Sequence, residues 1–301
     1  MLKKLEDLKT IIENTPVRKL VLAAAQDQQS LSAVLRAAAD GIIEPILIGD
    51  KEMIRNIATT NSFNLEGIRI VHEADMNKSV EMAVKMVSSK QADVLMKGKV
   101  GTSTLLKCVL NREWGLRTGH LLSHIALFEV ETYHKLIAIA DVAMNIAPNL
   151  QDKISIVNNS ITCLHNLGVP VPKVAVLGAV EMVNENMEAT LDAALLSKMN
   201  QRDQIRGCII DGPLAFDNAI SIESAQYKGI RSEVAGDTDF LLMPDIEVGN
   251  VLYKSLVFFA KAKVASMILG ALAPIVLTSR SDSEQAKYDS ILLAAAASKK
   301  S

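Results

Sequence analysis

Near the C-terminus an apolar run ends in TSRSDS, residues 278–283, and a helical pattern follows. An arginine and an aspartate set among hydroxyls at that junction suit two jobs. Ser281, with Glu284 three residues on, spells a capping box, which pairs the free N–H groups of a helix start. Tyr288, Ile291, Leu292 and Ala295 then supply an apolar face. Capping leaves Arg280 unexplained, because a cation is a poor neighbour for the positive end of a helix unless an anion joins it. A guanidinium holds phosphate or carboxylate through two hydrogen bonds and so fixes its orientation.

A second stretch, KGKVGTSTLL from Lys97, puts two lysines between an apolar run and an expected helix start near Thr102. Its order fails the GxxxxGK[ST] phosphate loop, and no GxGxxG follows any expected strand, so nucleotide fingerprints are absent. Free N–H groups beside Lys97 and Lys99 still suit an anion. Plain helix capping with surface lysines is the competing reading. His120 and His124 in TGHLLSHIALF share a face, but no carboxylate stands at a spacing that completes a metal site. They read as core or cleft polarity, or as a substrate contact, and no metal is expected. Asp211, Asp217, Asp237, Asp239 and Asp245 fall in loops after apolar runs, where a divalent cation or ordinary turn chemistry would use them. Turn or cap roles are preferred for Asp237 and Asp239; for Asp211 and Asp245 both readings stand.

These residues need a frame to hold them. Apolar runs at 18–25, 44–49, 68–72 and 93–96 alternate with helical patterns at 28–39 and from Asp75, which predicts a mostly parallel sheet flanked by helices. Between 118 and 141 two apolar runs sit too close for a helix between them and predict an antiparallel pair. Alternation resumes through helix 150–167, strand 173–177, helix 187–199, strand 207–211, strand 239–243 and helix 248–260. The stretch 264–279 reads as two buried strands with a turn, followed by a helix from about 283. Leu2, Leu5, Leu8 and Ile12 recur at helical spacing and predict an amphipathic first helix. The expected organisation is two α/β lobes, a three-layer α/β/α architecture with an interlobe active-site cleft. The first lobe takes residues 1–135 plus about 275–301, and the second 136–274.

The chain has 301 residues, 49% hydrophobic and 22% charged, with a formal charge of -2. That supports a sizeable core and gives no electrostatic reason to expect nucleic acid. The apolar stretch 264–279 is shorter than the roughly 20 residues of a membrane span. Without a signal-peptide h-region, and with three dispersed cysteines (Cys108, Cys163, Cys208), the chain is expected to be cytoplasmic, with no membrane partner.

Six segments resemble the phosphate acetyl/butyryltransferase family: MKGKVGTSTLLK, TGHLLSHIALFE, PKVAVLGAVEMVN, CIIDGPLAFDNAIS, PDIEVGNVLYKSLVFFA and APIVLTSRSDS. They run in the expected order over about residues 95–285, and the butyryl branch is the nearer. The resemblance implies reversible transfer of a short-chain acyl group, butanoyl foremost, from CoA to inorganic phosphate, giving acyl phosphate and CoA. Coenzyme A would be substrate and product, with no permanently bound cofactor. A homodimer or higher homo-oligomer and a metabolic link to an acyl-phosphate kinase are also implied. The family's Ser-Arg pair matches Ser279 and Arg280. The acetyl branch has a catalytic aspartate in the following helix, where this chain has Ala286, so Asp282 is the carboxylate carried forward as base. Lys97, Thr102, Thr118, His120, Ser123 and Asn250 are expected to contact phosphate or CoA. Phosphate acetyltransferase, a metal- and NAD-dependent dehydrogenase on a related two-lobed fold, and a non-catalytic ligand-binding relative are the alternatives. If Arg280 clamps the phosphate, Arg280→Ala lowers kcat/KM by at least ~100-fold, about 2.7 kcal/mol, with the fold retained by circular dichroism. Near-normal turnover in that variant removes the assignment.

Overall fold

The structure is a computed structural model that describes residues 2–13, 15–279 and 282–298. Arg280 and Ser281 lie outside the described residues. In chain order, a 3-10 turn at Leu5–Asp7 and α1 (Leu8–Ile12) precede β1 (Arg18–Ala23), α2 (Gln28–Ala39), β2 (Ile43–Gly49) and α3 (Lys51–Thr60). Then come β3 (Arg69–His72), α4 (Met76–Ser88), β4 (Val94–Lys97) and α5 (Thr102–Val109). The middle of the chain forms β5 (Ser123–Glu129), β6 (Ile137–Ala140), α6 (Leu150–Asn166), β7 (Lys173–Leu177) and α7 (Glu188–Gln201). It continues with β8 (Ile209–Leu214), α8 (Phe216–Ile220), α9 (Ile222–Tyr227), β9 (Phe240–Leu242) and α10 (Ile246–Phe258). The chain ends with β10 (Lys263–Leu269), β11 (Ile275–Val276) and α11 (Glu284–Ala297).

Two compact units result. A terminal unit takes Glu6–His120 with Ala265–Ser301, and a central unit takes Met1–Leu5 with Leu121–Val264. The divisions fall after residues 120 and 264, where the sequence reading places them after 135 and 274. The antiparallel pair β5–β6 belongs whole to the central unit.

In the terminal unit the strand order is β3-β2-β1-β4-β11-β10. All neighbours are parallel except β10, which is antiparallel to β11. Strands β1, β2 and β4 are near-continuous apolar runs because helices cover both their faces. The chain steps from β1 outward to β2 and β3, then returns across both to β4. Right-handed crossovers therefore put α2 and α3 on one face and α4 on the other. Ser79 of α4 fixes that second layer: its buried hydroxyl donates to Ile48 O (3.0 Å) and accepts from Ala24 N (2.9 Å). On the first face α11 packs on α2 and α1, with Ile291, Leu292 and Leu293 at most 1% exposed. Each such side chain contributes about 1.5–3 kcal/mol on burial.

Aspartates start the helices that follow β1, β2 and β3. Asp27 accepts Ser30 N, Asp50 accepts Glu52 N and Met53 N, and Asp75 accepts Asn77 N and Lys78 N. Sequence periodicity passed over α3, whose buried face is only Ile54 and Ala58. The last helix begins at Glu284, close to the expected start near 283. Its N-cap is Ser283, whose hydroxyl accepts Ala286 N; Ser281, the expected capping-box serine, lies outside the described residues.

In the central unit the order is β5-β6-β9-β7-β8, with β5 antiparallel to β6 and the others parallel. Among the described residues no helix is long and apolar enough to cross a membrane.

Candidate functional site

The terminal unit reverses its winding between β1 and β4, and open α/β sheets bind ligands at the C-terminal ends of the strands where the order reverses. A cavity of about 480 Å³ lies there. Asp27 and Ser30 reach it from the start of α2, Met76 and Asn77 from α4, Lys97 to Gly101 from the end of β4, and Thr278, Ser279 and Lys287 from beyond β11. Its volume is within the range of about 300–1,000 Å³ common for ligand sites. Another concavity, about 590 Å³, sits by the end of α3 against Arg55 and Phe63, away from the strand ends.

Close backbone approach builds the floor. Gly98 N donates to Ala23 O and Lys99 N to Ala24 O, each at 2.8 Å. A Cβ on Gly98 would stand 2.3 Å from Ala24 O and 2.6 Å from Ala23 O, so only glycine fits. The tight loop turns the Lys97 side chain inward, 5% exposed, with Nζ 3.4 Å from the Gly98 and Val100 carbonyls. Helix α5 starts at Gly101 with no side-chain cap, unlike the three aspartate-capped helices before it. Its first-turn N–H groups thus add partial positive charge beside Lys97.

The far wall is the turn after β11. Asp282 Oδ2 accepts Ser279 N at 2.6 Å, and Asp282 N donates to Ser279 O at 3.2 Å. Lys287 donates to Ser279 O and Asp282 O, both at 3.0 Å, and is 3% exposed. Burial pulls its pKa below the usual lysine value, against the opposing pull of Asp282 and Asp27. The arrangement can hold a small, strongly charged anion among ammonium groups, N–H groups and hydroxyls.

The structure therefore brings Lys97 and Ser279 to one cavity. Thr102 is an exposed first residue of α5, and Thr118 donates to Gly270 O. His120 is exposed, with its N–H on Thr118 Oγ1. Arg280 lies outside the described residues.

Ser123 and Asn250 belong to a polar cluster in the central unit. Its hub is Asp141, 2% exposed, which accepts His124 N, Ala143 N, Met144 N and Asn145 Nδ2. Ser123 is fully buried and accepts Asn159 Nδ2 at 3.0 Å; Asn250 Nδ2 donates to Val142 O at 3.2 Å. Gly249 lets α10 approach, since a Cβ there would be 2.3 Å from Asp141 O. The sequence reading missed Asp141 and Lys287. An aspartate just past a short apolar run was the available signal for the first; for the second there was none.

The aspartates expected in loops have structural partners, and two of them are not in loops: Asp211 lies within β8 and Asp217 within α8. Asp211 accepts Gly212 N, Asp245 caps α10, and Asp217 accepts Ser224 Oγ and pairs with Lys228. Asp237 and Asp239 precede β9 rather than follow a strand. Burial alone would raise the Asp237 carboxyl, but hydrogen bonds from Lys173, Lys135 and His134 outweigh it and hold the group well below the carboxylate range. Among the described residues no three His, Cys, Asp or Glu side chains gather as a metal site.

A family model described as "Phosphate acetyl/butaryl transferase" matches residues 9–82 and 73–295. The chain is 46% identical to the phosphate butyryltransferase of Clostridium beijerinckii, covering 98% of both chains. It is 45% identical to the phosphate acetyltransferase of Thermotoga maritima, over 92% of this chain and 94% of that one. Among solved structures, a branched-chain phosphotransacylase from Enterococcus faecalis superposes with a TM-score of 0.83 at 33% identity, covering 93% of this chain and 99% of the other. With its sequence matched nearly end to end, the chain belongs to the phosphate acetyl/butyryl transferase family.

Proposed function

We propose that this protein transfers a short-chain acyl group, butanoyl foremost, between CoA and inorganic phosphate. The observation that carries the reading is the cavity at the β1/β4 reversal, where Lys97 and Lys287 are both buried beside the uncapped start of α5. Such a site suits phosphate, and the names of the relatives supply the acyl chemistry. CoA is then a substrate or product rather than a resident cofactor.

In the forward direction a phosphate oxygen attacks the thioester carbonyl, the C–S bond breaks, and the CoA sulfur leaves and takes a proton. Fixing phosphate between oriented cations lowers the barrier chiefly by positioning and by stabilising charge that develops on the carbonyl oxygen. Arg280 orients phosphate, and Ser279 donates to a phosphate or carbonyl oxygen. Direct transfer is favoured over a cysteine carrier, because burial pushes the Cys163 and Cys208 thiols up to about 12 and leaves them protonated at neutral pH. Assembly as a homo-oligomer is supported by α10, which leaves Val248, Val251 and Phe258 at 42–64% exposure.

Two measurements test the reading. Thiol release from butanoyl-CoA, followed with and without phosphate and with excess EDTA, is expected to depend on phosphate and not on metal. Turnover on butanoyl-CoA should exceed that on acetyl-CoA. No phosphate-dependent release would overturn the proposal, and an acetyl preference would reverse the chain length. For Asp282, an acceptor role toward Ser279 N–H predicts that Asp282→Asn keeps turnover within about 3-fold with an unchanged pH–rate profile, while Asp282→Ala loses ~10-fold or more. A collapsed rate in Asp282→Asn alone, with the basic limb of the profile lost, identifies Asp282 as the base.

A further inference from the structure

Lys287 sits where a lysine is hard to keep. It is the fourth residue of α11 after the Ser283 cap, close to the positive helix pole, and it is 3% exposed. Among the described residues no carboxylate lies within ion-pairing distance of its ammonium. Asp27 and Asp282 act on it only at longer range, while Lys97 lines the same cavity with charge of the same sign. A buried ammonium with no direct counter-ion costs several kcal/mol unless something compensates it. Two of its three donors go to the Ser279 and Asp282 carbonyls. The side chain lines the cavity, which leaves the third donor for a ligand.

We propose that Lys287 is a phosphate-binding residue of this site. It ties the Ser279–Asp282 turn from beneath and completes its own coordination with an oxygen of the bound phosphate. The proposal rests on the acyltransferase reading above and gives one of its two buried lysines a direct contact with the phosphate. A bound dianion would set charge of opposite sign against Lys287, so phosphate should bind before or with acyl-CoA. CoA recognition does not depend on Lys287.

The test uses the full chain as wild type, Lys287→Met, Lys287→Gln and Lys287→Arg. Two readouts apply: steady-state KM for phosphate and for butanoyl-CoA, and the rise in unfolding temperature produced by inorganic phosphate alone. Lys287→Met is expected to raise KM for phosphate at least ~10-fold and to lose the phosphate-induced rise, with KM for butanoyl-CoA changed less than about 2-fold. Lys287→Gln keeps donors for the two carbonyls without the charge and should show the same phosphate defect. Lys287→Arg should recover part of it. A folded Lys287→Met or Lys287→Gln with wild-type phosphate response and KM, or with both KM values raised alike, overturns the proposal. Should Lys287→Met fail to fold, Lys287→Gln and Lys287→Arg decide by the same criteria. Wild-type protein that shows a phosphate response but no turnover defeats the acyltransferase reading, and the variants are then judged on the phosphate response. No response to phosphate in the wild type overturns the assignment of Lys287.

Discussion

At Gly98 the backbone after β4 lies against the carbonyls that end β1, with N–H bonds at 2.8 Å to Ala23 and, through Lys99, to Ala24. Any side chain there would meet those oxygens at 2.3–2.6 Å. This contact closes the sheet where its winding reverses and sets three things at once. It turns Lys97 inward, it aims the uncapped start of α5 at the same space, and it leaves an edge for the turn after β11 to complete. The parallel order of β1, β4 and β11 is the condition for all of them, because it aligns their C-terminal ends.

The resulting site concentrates positive charge in a place where burial penalises it. Lys97 and Lys287 are 5% and 3% exposed, and the two carbonyls bonded to Lys287 offset only part of its desolvation cost. Structures retain such groups mainly where function uses them. The central unit handles charge in the opposite way. Lys135, Lys173 and His134 surround Asp237 within 2.9 Å, and Lys153 pairs with Asp192 between α6 and α7. Those ions are matched in place, and the polar cluster at Asp141 has donors bonded directly to its carboxylate. Among the described residues the Lys287 ammonium has no carboxylate within ion-pairing distance, and this contrast supports the terminal unit as the anion-binding one.

Much of this was legible in the sequence. Strands of the parallel sheet stand out because burial on both faces makes them continuous apolar runs, and the antiparallel pair β5–β6 was visible from its short EVETYHK link. KGKVG was legible as a loop between a strand and a helix start, with anion binding and plain capping with surface lysines both open; the structure buries Lys97 there. The start of α11 near 283 was legible, because serines before acidic residues end the apolar run, and Ser283 is its N-cap. Other features left no signal. Helix α3 was passed over because a two-residue buried face gives weak periodicity. Lys287 reads as an exposed residue in EQAKYDS, and its burial depends on α2 packing over α11. Asp141 looks like a turn residue until the backbone N–H groups around it are seen to converge.

The central claim is that phosphate binds at the β1/β4 reversal of the terminal unit. The most direct measurement is a crystal soaked in arsenate, whose anomalous signal locates a phosphate-like anion without ambiguity. One arsenate within hydrogen-bonding distance of Lys97 Nζ and Lys287 Nζ, beside the first turn of α5, is the predicted result. Arsenate bound elsewhere, with that cavity empty at saturating concentration, would contradict the account.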